Sequence, residues 1–150
     1  MRALTVQQPW PTAIVHWGKS PENRSRNIAG AYRGPLAIHA GLREDEAAYD
    51  DEMIREALGT YDDSWRLLDQ LETRGAIIGV VDLVAVHHHS DHGPDRCSPW
   101  AQQGQWHLML AKPRPLAEPI PCTGRLGLWT PTPDVLAAVE LGLVGGAQTA

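Results

Sequence analysis

The sequence contains no phenylalanine and only two cysteines among its 150 residues. Two cysteines, Cys97 and Cys122, are too few for a disulfide scaffold, and free thiols are typical of a reducing compartment. No apolar run approaches the roughly 20 residues that a membrane-spanning helix needs. The first residues also lack the long apolar core of a signal peptide. These absences predict a cytoplasmic protein without a membrane partner.

Positive charge is also scarce, with 13 Lys and Arg against 18 Asp and Glu and a net charge of −5. The deficit is uneven along the chain. Residues 1–43 contain six basic side chains and one acidic one, whereas residues 44–75 contain eleven acids and three arginines. This asymmetry allows a local basic groove for nucleic acid, and it leaves the acidic stretch as a surface for a protein partner.

A hydrophobic content of 43% is enough for a core, and 150 residues fit one domain. We therefore predict a single domain over residues 1–150, frayed at about 145–150. Alternating or β-branched patterns predict strands at 4–7, 35–40, 76–87 and 105–110. Pro113 and Pro115 are expected to end the last of these. Periodicity and caps predict helices at 9–17, 49–58, 64–75 and 134–141. Asp62, Asp63 and Ser64 are the N-cap candidates of the third helix.

The run at 76–87 is nearly continuous, which indicates a strand that is buried on both faces or wrapped in a barrel. Several short strands with a few helices predict an α+β fold, a small β-barrel with helices packed around it. Trp17 and Trp65 are expected to lie in its core.

Three charged side chains cluster just after the first predicted helix, in the segment Gly18-Lys19-Ser20-Pro21-Glu22-Asn23-Arg24. Glu22 is a candidate general base, and Lys19 a candidate to stabilise an oxyanion or a phosphate. The alternative is a surface ion pair that contributes little. Arg24 and Arg33 are candidate phosphate ligands, because guanidinium matches phosphate oxygens, or they lie on a solvated face.

Other candidates follow from residue type and position. Asp82 interrupts an apolar strand, so it pairs with a base such as Lys19, faces a cleft or points to solvent. Trp100 lies beside a polar loop and is a candidate for stacking on a base, with core packing as the alternative. Tyr32 is expected to stack or to line the cleft. His39 reaches the cleft or is simply packed.

A histidine run invites comparison with metal sites. His87, His88 and His89 are consecutive, with His92 and Cys97 nearby. Successive strand residues point to opposite faces, so the three consecutive histidines do not converge unless the chain turns. Neither C-x-x-C nor H-E-x-x-H spacing is present. The sequence therefore predicts neither a metal site nor a cofactor.

Several short motifs, in their order and spacing, resemble the ASCH family of the PUA-like superfamily over most of the chain. The resemblance lies in Leu4–Trp10, Gly18–Arg24, Tyr32–Ala40, Ile78–Leu83, Ser98–Ala101, Gln105–His107 and Gly124–Trp129. Of the family signature G-x-K-x-x-E-x-R, the charged residues match Lys19, Glu22 and Arg24. Trp17 stands at the first glycine position.

The resemblance implies a small PUA-like β-barrel with a cleft for RNA or a modified nucleoside. It adds Ser98 to the ligand-binding candidates, and its hydrolase members act on acetylated cytidine. Those use the motif lysine, a threonine three residues later and a glutamate on a later strand, which correspond here to Lys19, Glu22 and Asp82. Since Glu22 replaces the threonine, any chemistry is expected to use a carboxylate that activates water.

We therefore predict an RNA- or nucleotide-binding module whose partner is RNA, single-stranded nucleic acid or a nucleoside. The alternatives are a small hydrolase of a modified or N-acylated nucleoside and a nuclease acting on RNA. A protein scaffold that binds through its acidic helices is a third class.

Overall fold

The structure, a computed structural model, describes residues 1–60, 64–91 and 96–147. Its strands are β1 (Arg2–Gln8), β2 (Pro21–Arg24), β3 (Gly34–Glu44), β4 (Ala76–His88), β5 (Trp106–Pro121) and β6 (Leu128–Trp129). Its helices are α1 (Trp10–His16), α2 (Glu52–Gly59), α3 (Ser64–Glu72) and α4 (Pro133–Ala147). The fold is therefore α+β, as the sequence predicts.

The six strands form one sheet in the order β2-β5-β4-β3-β1-β6, which curls into a half-barrel. Strands β1 and β3 are parallel, with Leu4 opposite Ile38, and the other pairs are antiparallel. Parallel neighbours need a crossover connection, and α1 and β2 lie within it. The helices and the half-barrel confirm the coarse prediction of a small barrel with helices.

Both faces of the central strands are buried, as the apolar run in β4 predicts. Leu36 and Ile38 of β3 point to a core beneath α1, and Ala37 between them points to a second core beneath α4. This alternation follows from the two-residue period of a strand. Gly79 lies where α1 approaches β4, and a Cβ atom there would meet the Val15 side chain at 2.9 Å.

The acidic stretch forms a third, smaller core. Asp51 caps α2, and its carboxylate accepts hydrogen bonds from the backbone N–H groups of Met53 and Ile54. Ile54 packs with Ala13 and Trp100, so α2 is anchored on α1. The predicted periodicity is confirmed, although Tyr49 lies in a 3₁₀ turn before α2.

Strand β5 corrects the prediction that Pro113 and Pro115 end it, because it continues to Pro121. The edge of β5 that faces β2 is paired only from Trp106 to Met109. Beyond this point, within the described residues, proline removes no hydrogen bond to a strand on that edge. The register with β4 also shifts on both sides of Val80, and irregular or edge positions are where strands tolerate proline.

Three further predictions are settled or limited by the structure. Trp65 is 65% exposed on α3 and does not belong to the core. Helix α4 extends to Ala147, so the described part of the predicted frayed end is helical. The predicted caps Asp62 and Asp63 lie outside the described residues.

None of the described helices has the length and apolar character needed to cross a bilayer.

Candidate functional site

A large open cleft of about 1030 Å³ lies beside the beginning of β2 and the segment that follows β5. Its wall contains three cationic side chains, Lys19, Arg24 and Arg125, and two carboxylates, Glu22 and Asp45. The cleft is also lined by Thr5, Trp10, Asn23, His39, Gln102, Gln105, Cys122 and Gly124. The cleft thus combines charge of both signs with an aromatic ring.

Lys19 is buried at the end of the α1–β2 connection, with 2% of its surface exposed. Its Nζ donates to the Pro21 carbonyl at 2.5 Å and to Glu22 Oε1 at 3.4 Å. The ammonium also lies 5.2 Å from the centroid of the Trp10 ring, which provides a cation–π contact. Burial lowers the pKa of Lys19, and the carboxylate of Glu22 opposes this effect.

Glu22 is the centre of the charged group, because it lies between two cations. Its Oε1 accepts from the backbone N–H of Asn23 at 3.0 Å as well as from Lys19. Its Oε2 is 3.5 Å from Arg24 Nη2, close enough for an ion pair. That atom nevertheless has no hydrogen bond to any described residue, although Glu22 is only 5% exposed. A buried carboxylate oxygen therefore has unused accepting capacity.

Arg24 is more accessible than the other two members of the motif. Its Nη2 donates to the Thr5 carbonyl at 3.2 Å, which ties β2 to β1 across the cleft. Its side chain is 30% exposed, so the guanidinium still has donors facing solvent. In the same cleft, the Trp10 indole N–H donates to the Asp45 carboxylate at 2.8 Å, so this carboxylate already has a partner in the wall.

His39 lies in the cleft wall and is almost completely buried, with 1% of its surface exposed. Its Nε2 lies 2.9 Å from the Cys122 carbonyl, which accepts only, so this nitrogen carries the proton. A Cβ on Gly124 would approach His39 Nδ1 to 2.8 Å, so that backbone covers the ring. Burial lowers the pKa of His39. The side chain is thus packed, and it positions the 122–127 segment.

Asp82 is not brought together with Lys19 and Glu22, in contrast to the catalytic trio predicted from the sequence. Its carboxylate pairs with Arg114 Nη2 at 2.7 Å, across the β4–β5 ladder, and it does not line the cleft. Of the three alternatives left open by the sequence, pairing with a base describes Asp82. The partner is Arg114 because the sheet places β5, and not the α1–β2 connection, beside Asp82.

The other four predicted ligand-binding residues also lie away from the cleft. The Tyr32 hydroxyl donates to the Pro35 carbonyl, and Arg33 is exposed and donates to the carbonyls of Gly30 and Tyr32. The Ser98 hydroxyl accepts from the Trp100 N–H. Trp100 is buried in the third core and borders a small depression against α1 and α2. The alternative of core packing therefore describes Trp100.

Several residues that line the cleft before α1 and after β5 are absent from the candidates predicted from the sequence. Arg125 is exposed in the cleft wall, and its signal was its place between Gly124 and Gly127 in a motif of the ASCH resemblance. Thr5 accepts a hydrogen bond from the Trp129 indole at 3.0 Å. Its strand pattern indicated only a short β-strand, with no chemical signal.

A second cluster lies where β4 ends and β5 begins, next to β2. His87, Cys97 and His107 place one donor atom each within 4.8 Å of one another. His87 and Cys97 belong to the group noted in the sequence, whereas His107, ten residues beyond the cysteine, does not. His92 lies outside the described residues.

Scanning the chain against models of protein families and searching curated proteins gave no match. The geometry of the cleft therefore carries the functional argument.

Proposed function

We propose that the chain is a PUA-like module of the ASCH type that binds a nucleotide, free or within single-stranded RNA, in the cleft. The observation that carries the proposal is the buried Glu22 carboxylate, held between two cations with one oxygen lacking a hydrogen bond among the described residues. All three charged residues of the resemblance motif also line this cleft.

Glu22 has the properties of a group that recognises a donor. Lys19 holds its charge in place, and its Oε2 accepts no hydrogen bond from the described residues. The exocyclic amines and ring N–H groups of nucleobases are donors of the required kind. A base whose amine donates a hydrogen bond to Glu22 Oε2 would satisfy this oxygen. A buried acceptor without a hydrogen bond costs free energy.

Arg24 and Arg125 provide the charge for the phosphate. Both line the cleft, and guanidinium groups bind phosphate oxygens through paired hydrogen bonds. A cleft of about 1030 Å³ also has ample room for a nucleotide, since pockets for small molecules occupy about 300–1,000 Å³. A net negative chain can thus bind an anion, because the cleft itself contains more cationic than anionic side chains.

The test compares two exposed arginines, one inside the cleft and one outside it. Fluorescence anisotropy would measure the affinity for mononucleotides and short labelled RNA at about 50 mM and about 200 mM salt. We expect Arg125→Gln to weaken binding and to reduce the salt slope by about 1, whereas Arg33→Gln changes neither. Absent binding, or equal effects of the two substitutions, would refute the proposal.

A hydrolase of N-acylated nucleosides is the second candidate, favoured by the Lys19–Glu22 contact beside the same space. Glu22 would take a proton from water as the hydroxide attacks the acyl carbon, and then return it to the departing amine. Acetylcytidine incubated with wild type and Glu22→Gln would test this, with denaturation curves confirming that both are folded. Equal turnover would exclude Glu22 as the base, and shortening of the labelled RNA would indicate a nuclease instead.

A further inference from the structure

The side chains of His87 and His107 face each other across β4 and β5, at directly paired positions. His87 Nε2 lies 3.1 Å from His107 Nδ1. Cys97 comes from the segment that joins the two strands, and its Sγ is 3.4 Å from the same Nδ1. The fold thus brings together the donor atoms of two imidazoles and a thiol that are not adjacent in the sequence.

The protonation of His107 follows from its second ring nitrogen. Nε2 lies 2.8 Å from the Gln102 carbonyl, which only accepts, so Nε2 carries the proton and Nδ1 is the basic nitrogen of the neutral ring. Histidines that bind metals usually make this contact, donating their other N–H to a carbonyl or carboxylate. Because His107 is only 1% exposed, its ring is held in that orientation.

We propose that His87, Cys97 and His107 form a binding site for a zinc-type divalent ion, with solvent as a fourth ligand. A tetrahedral zinc with ordinary Zn–N and Zn–S bonds separates its ligand atoms by about 3.3–3.7 Å. The distances of 3.1 Å and 3.4 Å to His107 Nδ1 therefore need little adjustment. Sulfur and imidazole donors favour zinc over magnesium or calcium, which prefer oxygen. On binding, the Cys97 thiol loses its proton to solvent, and the neutral His87 ring carries its proton on Nδ1, which leaves Nε2 to bind the ion.

The ion would stabilise the wall of the cleft. The segment from Cys97 to His107 contains Gln102 and Gln105, which both line the cleft. The Gln102 N–H donates to the Asn23 side chain at 3.0 Å, and that side chain donates to the Trp100 carbonyl. An ion shared by β4, β5 and this segment would hold those contacts in place. The metal site stands independently of the ligand proposed for the cleft.

The experiment is a titration of the full chain, purified without a histidine tag and treated with chelator, with Zn²⁺ and with Co²⁺. We expect one ion per chain and, with Co²⁺, a thiolate-to-cobalt absorption band. Cys97→Ser should abolish that band, and His87→Ala should weaken Zn²⁺ binding by more than the roughly 10–100-fold typical of losing an outer hydrogen bond of a site.

Matched controls come from the same chain. Cys122→Ser removes the other cysteine, and His89→Ala removes a neighbouring histidine outside the cluster; both should keep the stoichiometry and the band. Circular dichroism of the metal-free variants would show that they remain folded. Failure of the wild type to bind Zn²⁺ would overturn the proposal. An unchanged cobalt band in Cys97→Ser, or an equal loss in His89→Ala and His87→Ala, would do the same.

Discussion

The buried pair Lys19–Glu22 offers a direct test of the electrostatics of the cleft, through the substitution Glu22→Gln. The chain provides a matched control, since Arg55 and Asp50 form a pair of nearly the same length. The nitrogen–oxygen distance is 3.4 Å in the first pair and 3.3 Å in the second. The side chains are 1% and 6% exposed in the buried pair, against 66% and 85% at the surface.

The difference in burial sets the magnitude of the effect. At these distances the attraction between unit charges is about 5 kcal/mol at an effective dielectric constant of about 20, and about 1 kcal/mol in water. Removing one charge from a buried pair typically costs about 3–5 kcal/mol, because the remaining charge is left in a poorly solvated place. We expect Glu22→Gln to lower the free energy of unfolding by about 3 kcal/mol, and Asp50→Asn by about 0–1 kcal/mol.

Urea denaturation at neutral pH would measure both variants, with equal m-values showing that compactness is unchanged. The pH dependence provides a second signature. The folded state already holds the pKa of Lys19 below its ordinary value, and losing the Glu22 charge lowers that pKa further. A depressed lysine pKa makes stability rise with pH in the window between the folded and unfolded values.

The decrease in unfolding free energy caused by Glu22→Gln should therefore become smaller as the pH rises towards the pKa of lysine in the unfolded state, about 10.4. A loss for Glu22→Gln no larger than that for Asp50→Asn would refute the reasoning. So would a cost that grows as the pH rises through this window.

Three further predictions concern packing, pH and the position of Asp82. Gly79→Ala should cost about 1–3 kcal/mol in urea denaturation, since its Cβ meets Val15, whereas Gly59→Ala, with open space around it, should be neutral or stabilising. Because burial lowers the pKa of His39, the unfolded state binds the proton more readily, so stability should fall as the pH drops below about 6.5. The unfolding free energy of His39→Gln should fall less steeply with decreasing pH than that of the wild type. An unchanged pH dependence would show that other groups cause it. Asp82→Asn should leave nucleotide affinity unchanged in the anisotropy assay, because its carboxylate pairs with Arg114 outside the cleft.

Local sequence patterns predict a strand or helix where its own residues determine which of its faces are buried. The β-branched run from Ala76 could be assigned as a strand buried on both faces, because every side chain in it is apolar up to Asp82. The stop signals Gly18 and Pro21 likewise placed the charged motif just after a helix. The end of β5 does not follow from its prolines, because proline disrupts a strand only where its missing N–H is needed for pairing. Within the described residues, no strand pairs with the outer edge of β5 beyond Met109.

The α+β class, the positions of most elements and the charged trio Lys19, Glu22 and Arg24 can be predicted from the sequence, since these features depend on neighbours within a few residues. Which distant residues share a site depends instead on strand order and packing. Strand order placed Arg114 beside Asp82, packing buried Trp100, and the loop after β5 brought Arg125 to the cleft. The convergence of His87, Cys97 and His107 likewise depends on strand pairing, which joins residues that no local spacing relates.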